Sequence, residues 1–328
     1  MGKVTSRDVA REAGVSQNTV SLVARNSPRV SAETRRAVEA AMARLHYTPN
    51  AVAAALRSQT THTLAFVVSA SELHNHVTTE LLAGAIEGAA NHDYTVVTVP
   101  ARPSRAGVDA VTLFQRQNVS GALVFALTTD DPLVAALAAA GCPTVSLLQP
   151  SSAVPPERSV TADDYGGGVA AVRHLVGRGH RRLGLVGLPD RRMGIASARM
   201  AAARDVAAAA GIPLEEAPAS AWTVEAGRAA AVGLLARDPR PTGIFAISDR
   251  LAFGVLAAAR AAGLSVPEDV SVVGFDNVEW AQHSAPPLTT VEFPLREIAL
   301  AGVGRLLAAS SAPAWTAAPA RLVVRASA

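Results

Sequence analysis

From Leu64 onward, apolar runs of strand length alternate with alanine-rich stretches of helical length, and this alternation restricts the fold more than any other feature. The runs at 64–68, 95–99, 121–125, 144–148, 183–186, 243–247 and 270–275 read as strands. The stretches at 81–91, 109–117, 165–178, 198–210, 224–237 and 251–262 read as helices. Alternating strands and helices build parallel, doubly wound sheets with helices on both faces. A chain of 328 residues has room for two or three domains. Its 49% hydrophobic and 17% charged residues supply a large core and exclude general disorder.

Several function classes drop out on residue type. No apolar run reaches the roughly 18–20 residues that span a bilayer, and MGKVTSRDVAREAG carries no apolar leader, so a cytoplasmic location is expected. The single cysteine, Cys142, excludes a disulfide framework and a multi-cysteine zinc site; before Pro143 and with no evident base, it reads as structural. Lys3 is the only lysine, which removes a phosphate-binding or Schiff-base lysine from the rest of the chain. No Gly-x-Gly-x-x-Gly follows the first strand and no Gly-Lys-Ser/Thr occurs, while Gly166-Gly-Gly168 alone is weak evidence. His74-Asn75-His76 lacks further ligands and reads as a solvated loop. No enzyme, cofactor or metal is therefore expected.

The net charge of +3 hides an asymmetry. Residues 1–58 carry nine basic and four acidic groups, so the remainder is slightly acidic. A basic head on a near-neutral body suggests a polyanion partner, although a solvated helix surface has the same composition. Thr5 and Asp8 fit a capping box that starts a helix running to about Ala13. Gly14 supplies a turn, Ser16 caps a second helix from Gln17, and Ser31 caps a third whose apolar stripe is Val38, Met42 and Leu45. Helix, glycine turn, helix is the helix-turn-helix pattern, whose second helix enters the major groove.

VTSRDVAREAGVSQNTVSLV (4–23) followed by VSAETRRAVEAAMARLHYTPNAVAAALRS (30–58) resembles the head of the lac repressor/galactose repressor family of bacterial regulators. GHRRLGLVG (179–187), FAISDRLAFGVLAAARAAGLSVPEDVSVVGFDN (245–277) and PPLTTVEFP (286–294) resemble that family's effector-domain signatures, so the likeness runs through the chain. It implies an all-α helix-turn-helix head at 1–46, a hinge and linker at 47–60, and an α/β body at 61–328. The body would be two Rossmann-like lobes of the periplasmic-binding-protein type. Chain crossings are expected near 160–163, 289–293 and Ala320, with a ligand cleft between the lobes.

The resemblance also implies roles. Gln17 and Asn18 open the recognition helix, and each can pair bidentately with adenine. Ser16, Thr19 and Ser21 suit phosphates, Asn26 and Arg29 suit the DNA backbone, and Thr5 joins the DNA-contacting set. Leu22 stands where the family usually has an arginine; it either packs on a thymine methyl or turns inward. In the hinge, Asn50 caps a helix too short to be stable alone, and Ala53 and Leu56 match residues that meet the minor groove, Leu56 as a wedge.

Ligands in such sheets sit beyond the carboxyl ends of strands. That rule picks Ser69 and Ser71, Ser248 and Asp249, and Asp276 with Asn277. Arg199, Trp222, Asp249 and Asp276 match cleft-lining positions of the family, and helix capping or loop structure is the competing role for both aspartates. Three departures point to an altered pocket. Ser248 replaces an asparagine, Leu148 falls at a usually polar contact, and the stretch from Ser69 to Val77 lacks an aromatic pair. The expected protein is a homodimeric, DNA-binding regulator, acting as a repressor on a pseudo-palindromic operator and controlled by a sugar or related metabolite. Control by a protein corepressor is the alternative, and a Rossmann-like sugar or nucleotide enzyme is the less favoured one.

Overall fold

The computed structural model describes residues 4–24, 27, 29–47, 61–69, 72–73, 75–101, 114, 119–125, 127–189, 194–308 and 317–328. The chain divides into two compact units, Met1–Thr61 and His62–Ala328.

The first unit contains three helices, α1 (Ser6–Glu12), α2 (Gln17–Ala24) and α3 (Ala32–Arg44). The Asp8 carboxylate accepts from the Thr5 backbone N–H at 2.9 Å and from its hydroxyl at 2.7 Å, which starts α1. These bonds, the hydroxyl's first, hold the Asp8 carboxyl below its ordinary range. Gly14 adopts φ +65°, a left-handed conformation that a β-carbon disfavours. Ser16 and Ser31 accept the N–H groups of Thr19 and Thr34, as N-caps should. Val9, Ala10, Val20, Val23, Val38 and Ala41 form the buried centre, with Met42 and Leu45 packed beside it.

The second unit is the two-lobed body. Lobe one holds β1 (Thr63–Ser69), α4 (His76–Ala90), β2 (Thr95–Ala101), β3 (Gly121–Phe125), α5 (Pro132–Ala139), β4 (Thr144–Leu148) and β5 (Ser159–Ala162). Lobe two follows with α6 (Asp164–Gly177), β6 (Leu183–Gly187), α7 (Gly194–Ala209), β7 (Leu214–Pro218), α8 (Val224–Leu235), β8 (Gly243–Ala246), α9 (Asp249–Ala261) and β9 (Ser271–Val273). Then come β10 (Thr290–Glu292), α10 (Leu295–Leu306), β11 (Ala317–Ala318) and β12 (Arg321–Val323). One parallel sheet runs β11-β5-β4-β3-β1-β2 and the other β7-β6-β8-β9, while β10 and β12 pair antiparallel between them. The chain therefore passes between lobes after β5, along β10, and between β11 and β12. Strands β3, β4, β6 and β8 are buried at every residue, as strands covered by helices on both faces must be.

Most strand and helix expectations in the body match within a few residues. The helix expected at 109–117 falls outside the described residues except for Phe114. Seven described elements are not among the expected ones: α5, α10, β5, β7 and the short strands β10, β11 and β12. Helix α5 reads LVAALAA after Pro132 and has no polar face to give a period. Helix α10 contains Gly302 and Gly304, and a β-carbon at Gly302 would meet the Leu147 side chain of β4, which would have to shift. Strand β7 reads LEEAP and lies at a sheet edge, where exposed glutamates are tolerated. Strand β5, expected only as a crossing, pairs with β4 before the chain leaves the lobe.

Candidate effector cleft and DNA-binding head

In the head, Gln17 and Asn18 are exposed at the start of α2. Gln17 spends its amide on Ser6 of α1, with Nε2 to Oγ at 2.7 Å, so in this conformation it fastens the two helices together. Among the described residues, Asn18 makes no such bond. The Ser16 and Thr19 hydroxyls are 2.9 Å apart and close the helix start. Leu22 is half-buried and lies outside the apolar centre formed by Val20 and Val23. Its neighbours on α2 thus fill the core, and Leu22 stays on the half-open side. Thr5 and Arg29 are exposed, and Ser21 is half-buried. Asn26, Asn50, Ala53 and Leu56 lie outside the described residues.

In the body, a cavity of about 420 Å³ lies between the lobes. Its wall is built beyond the carboxyl ends of the strands: Ser69 from β1, Phe125 from β3, Leu148 from β4, Leu188 after β6, Trp222 after β7 and Asp276 after β9. This is where the topology of open α/β sheets places ligands. Of the residues expected there, Ser69, Arg199, Trp222 and Asp276 line the cavity, and Ser71 lies outside the described residues.

Arg199 is the polar centre. It comes from α7 and is 4% exposed. Its Nε donates to Asp164 Oδ1 at 2.7 Å, and its Nη1 donates to the Ile247 carbonyl at 2.8 Å and to Asp276 Oδ1 at 3.1 Å. The guanidinium carbon sits 3.7 Å from the centre of the Phe275 ring. Burial alone would weaken the charge on Arg199, but the two carboxylates more than offset it and raise its pKa. Desolvation raises Asp164 despite Arg199. It also pushes Asp276 up to about 6, again against the pull of Arg199. Asp276 adopts φ +107° and Leu148 φ +62°, both strained for residues with a β-carbon. Such strain persists only where surrounding packing enforces it, and here both residues face the cavity.

Two expected site residues are not in the cavity. Ser248 is buried and caps α9 by accepting the Leu251 N–H at 3.3 Å. Asp249 is fully buried; it accepts the Thr290 hydroxyl at 2.5 Å and the Val278 N–H at 2.8 Å. Burial, and then the nearby Asp276 charge, push its pKa well above the ordinary carboxylate range. Asp249 thus ties α9 to the interlobe strand β10. Asn277 is similarly spent, with its amide donating to Glu292 and its carbonyl oxygen accepting from Arg325. The departure at Leu148 is answered one position on, where Gln149 lines the cavity and is 3% exposed. Its Nε2 donates to Thr129 Oγ1 at 2.8 Å and its Oε1 accepts the Ile195 N–H of α7 at 3.4 Å, from lobe one to lobe two. The missing aromatic pair is replaced by Phe125, Phe293 and Trp222 from separate segments. Local sequence offered no sign of Gln149, Phe125 or Phe293, nor of Glu72 and Arg250, which line the cavity from opposite lobes 3.8 Å apart.

Cys142 is half-buried, and burial raises its thiol pKa. Among the described residues, no three His, Cys, Asp or Glu side chains are grouped to hold a metal ion, and no helix is long and apolar enough to cross a membrane.

A helix-turn-helix head joined in one chain to a two-lobed body with a polar-centred interlobe cleft defines a ligand-responsive DNA-binding regulator. Comparison with known proteins gives the same class. Residues 5–50 match the family described as bacterial regulatory proteins, lacI family, and residues 172–328 match the periplasmic binding protein-like domain. The HTH-type transcriptional regulator CelR of Thermobifida fusca is 35% identical over 336 residues, covering 97% of this chain and 96% of its own. The HTH-type transcriptional repressor PurR of Escherichia coli is 33% identical over 299 residues, covering 88% of this chain and 85% of its own. Among solved structures, the lac repressor bound to ONPG in the repressed state superposes with a TM-score of 0.84 at 30% identity, covering both chains fully. The CelR–cellobiose complex gives 0.72 at 32% identity, covering 99% of this chain and 100% of the other. The chain belongs to the lacI family of bacterial regulatory proteins and is a DNA-binding transcriptional regulator.

The buried pair yields a stability prediction. Asp164→Asn removes a charge from beside a buried guanidinium, and breaking such a pair costs about 3 kcal/mol or more. Urea denaturation should show that loss, with the midpoint lowered and the slope unchanged.

Proposed function

We propose that this protein is a repressor that binds a pseudo-palindromic operator as a homodimer and is released by a sugar or related small molecule held between the lobes. The observation that carries the effector half is the Arg199–Asp276 pair facing an interlobe cavity of about 420 Å³. The volume is within the usual range for small-molecule sites, and a guanidinium beside a carboxylate offers paired donor and acceptor to adjacent hydroxyls. The relatives add support: a lac repressor dimer has been solved on operator DNA, and a CelR complex contains cellobiose. In this reading residues 1–46 form the DNA head, 47–60 the hinge and linker, and 61–328 the effector body. The protein works in the cytoplasm, where its operator is, and carries out no catalysis.

At the DNA, Asn18 reads a base edge and Ser16, Thr19, Ser21, Thr5 and Arg29 hold the backbone. Leu22 packs on a thymine methyl, which suits a half-exposed leucine outside the head's core. For Asn26, Asn50, Ala53 and Leu56, which lie outside the described residues, the proposed roles rest on the family resemblance: Asn26 for the DNA backbone, Asn50, Ala53 and Leu56 for the hinge and the minor groove. Effector-induced closure of the lobes alters how the paired hinges sit.

Binding-site selection tests the DNA half. Leu22→Arg should move the preferred base at one symmetric position toward guanine, since arginine restores two donors to O6 and N7, a contact worth about 1–3 kcal/mol. Identical selected sites for both proteins would mean that Leu22 does not face the bases.

Arg199→Ala tests the effector half. At a temperature where thermal melting shows the destabilised variant still folded, operator affinity without ligand should stay near that of the parent, while the ligand response, about 5–150-fold for couplings of this kind, should disappear. An unchanged response in titrations of labelled operator would remove Arg199 from the effector site.

The pKa of Asp276 near 6 gives a sign to the pH dependence. A hydroxyl that donates to this carboxylate binds its ionised form, so binding releases a proton at lower pH. Effector affinity should rise about tenfold between pH 5 and pH 7 and level off above. Calorimetry on Asp276→Asn should give a flat profile over the same window.

A further inference from the structure

Gln17 and Ser6 join the starts of two helices of the head. Gln17, the first residue of α2, donates from Nε2 to Ser6 Oγ at 2.7 Å. Ser6 is the first residue of α1 and is half-buried, while Gln17 is exposed. Both helix starts are secured without this bond. The Thr5 hydroxyl and N–H donate to Asp8 at the start of α1. The Ser16 hydroxyl accepts the Thr19 N–H at the start of α2 and pairs with the Thr19 hydroxyl. The bond between Ser6 and Gln17 therefore fixes a side chain at the end of α2 from which base edges are read.

A glutamine carboxamide has two N–H donors and a carbonyl acceptor. A bidentate pair with adenine uses the acceptor, for N6, and one donor, for N7. Ser6 Oγ takes one donor, so the other donor and the acceptor stay open to a base. The two interactions are compatible, and together they use both donors. Ser6 also acts on entropy. An exposed glutamine gives up much of its rotamer freedom on pairing with a base. A side chain already held by the protein loses less, which favours the complex.

We infer that Ser6 is a positioning residue for operator recognition: it holds the Gln17 carboxamide so that its carbonyl oxygen and remaining N–H pair with one adenine in each half-site. Ser6 touches no base in this arrangement and acts through Gln17. The inference rests on the reading of α2 as the base-reading helix and adds to it a residue of α1.

Selection from a random-sequence DNA library, with the full chain, reads the effect as a base preference. The parent should enrich adenine at one pair of symmetry-related positions, and Gln17→Ala should lose that preference. Ser6→Ala should cut it about fivefold, the size of one lost neutral hydrogen bond, and leave the rest of the motif unchanged. Ser6→Thr keeps the hydroxyl and should keep the preference. The Ser6→Ala, Gln17→Ala double variant should match Gln17→Ala alone, because Ser6 has no route to the base except Gln17. The preference is a ratio among bound sequences, so a smaller folded fraction in one variant does not alter it. A Ser6→Ala variant that loses affinity uniformly, with its preference intact, would show a tie between helices and nothing more, and would overturn the inference. So would a Gln17→Ala variant with the parent's motif, or one that loses a preference for a base other than adenine. A motif that changes with Asn18→Ala but with neither Ser6→Ala nor Gln17→Ala removes Ser6 and leaves α2 as the reading helix. A parent that enriches no motif removes both.

Discussion

The body is organised around one buried cation. Arg199 joins Asp164 at the start of α6, the Ile247 carbonyl after β8 and Asp276 after β9, and lies over the Phe275 ring. These segments are far apart in sequence, and α6 begins directly after the first passage between lobes. A guanidinium removed from water is tolerated only when its donors and its charge are met. The residues that meet them also shape the inner end of the cleft. The same interaction therefore holds lobe two together and presents a donor–acceptor edge to the cavity.

A second constraint acts at the crossings. Asp249 sits at the N-terminus of α9, yet its carboxylate binds Thr290 of β10 and the Val278 N–H. Arg325 near the chain's end donates to Asn277 and to the Leu288 carbonyl, and the Ser327 hydroxyl donates to the Val272 carbonyl. Polar groups buried at these passages replace the sheet hydrogen bonds that the chain forgoes on leaving a lobe. Bonds from Gln149 to Ile195 and from Glu72 to Arg250 then span the cleft itself. Any change in how the lobes meet must rearrange these contacts, which gives a ligand in the cavity a physical means of acting on the body.

Much of this architecture was legible in sequence because its determinants are local. Caps at Thr5, Ser16 and Ser31, the turn at Gly14 and the buried apolar strands depend on residues within a few positions of one another. The elements that escaped were those whose partners are distant. Helix α10 tolerates its glycines because it packs closely against β4, and strand β7 tolerates its glutamates because it is an edge. In the site, Arg199, Trp222, Ser69 and Asp276 were found from family pattern and strand-end position. Ser248 and Asp249 obeyed the same rule but were turned inward, one to cap a helix and the other to fix β10.

The sequence by itself determined the class: a basic helix-turn-helix head, two α/β lobes and the strand ends where a ligand would sit. Local hydrogen bonding, hydrophobic period and motif order are enough for that. Only the tertiary structure decided which polar groups remain open to a ligand. Gln149, Asn75 and Asp249 carry the same functional groups in sequence whether spent or free. Their commitment to Thr129, Glu72 and Thr290 depends on segments brought together by folding, and so does the apolar wall that Phe125, Leu148 and Phe293 assemble from three separate parts of the chain.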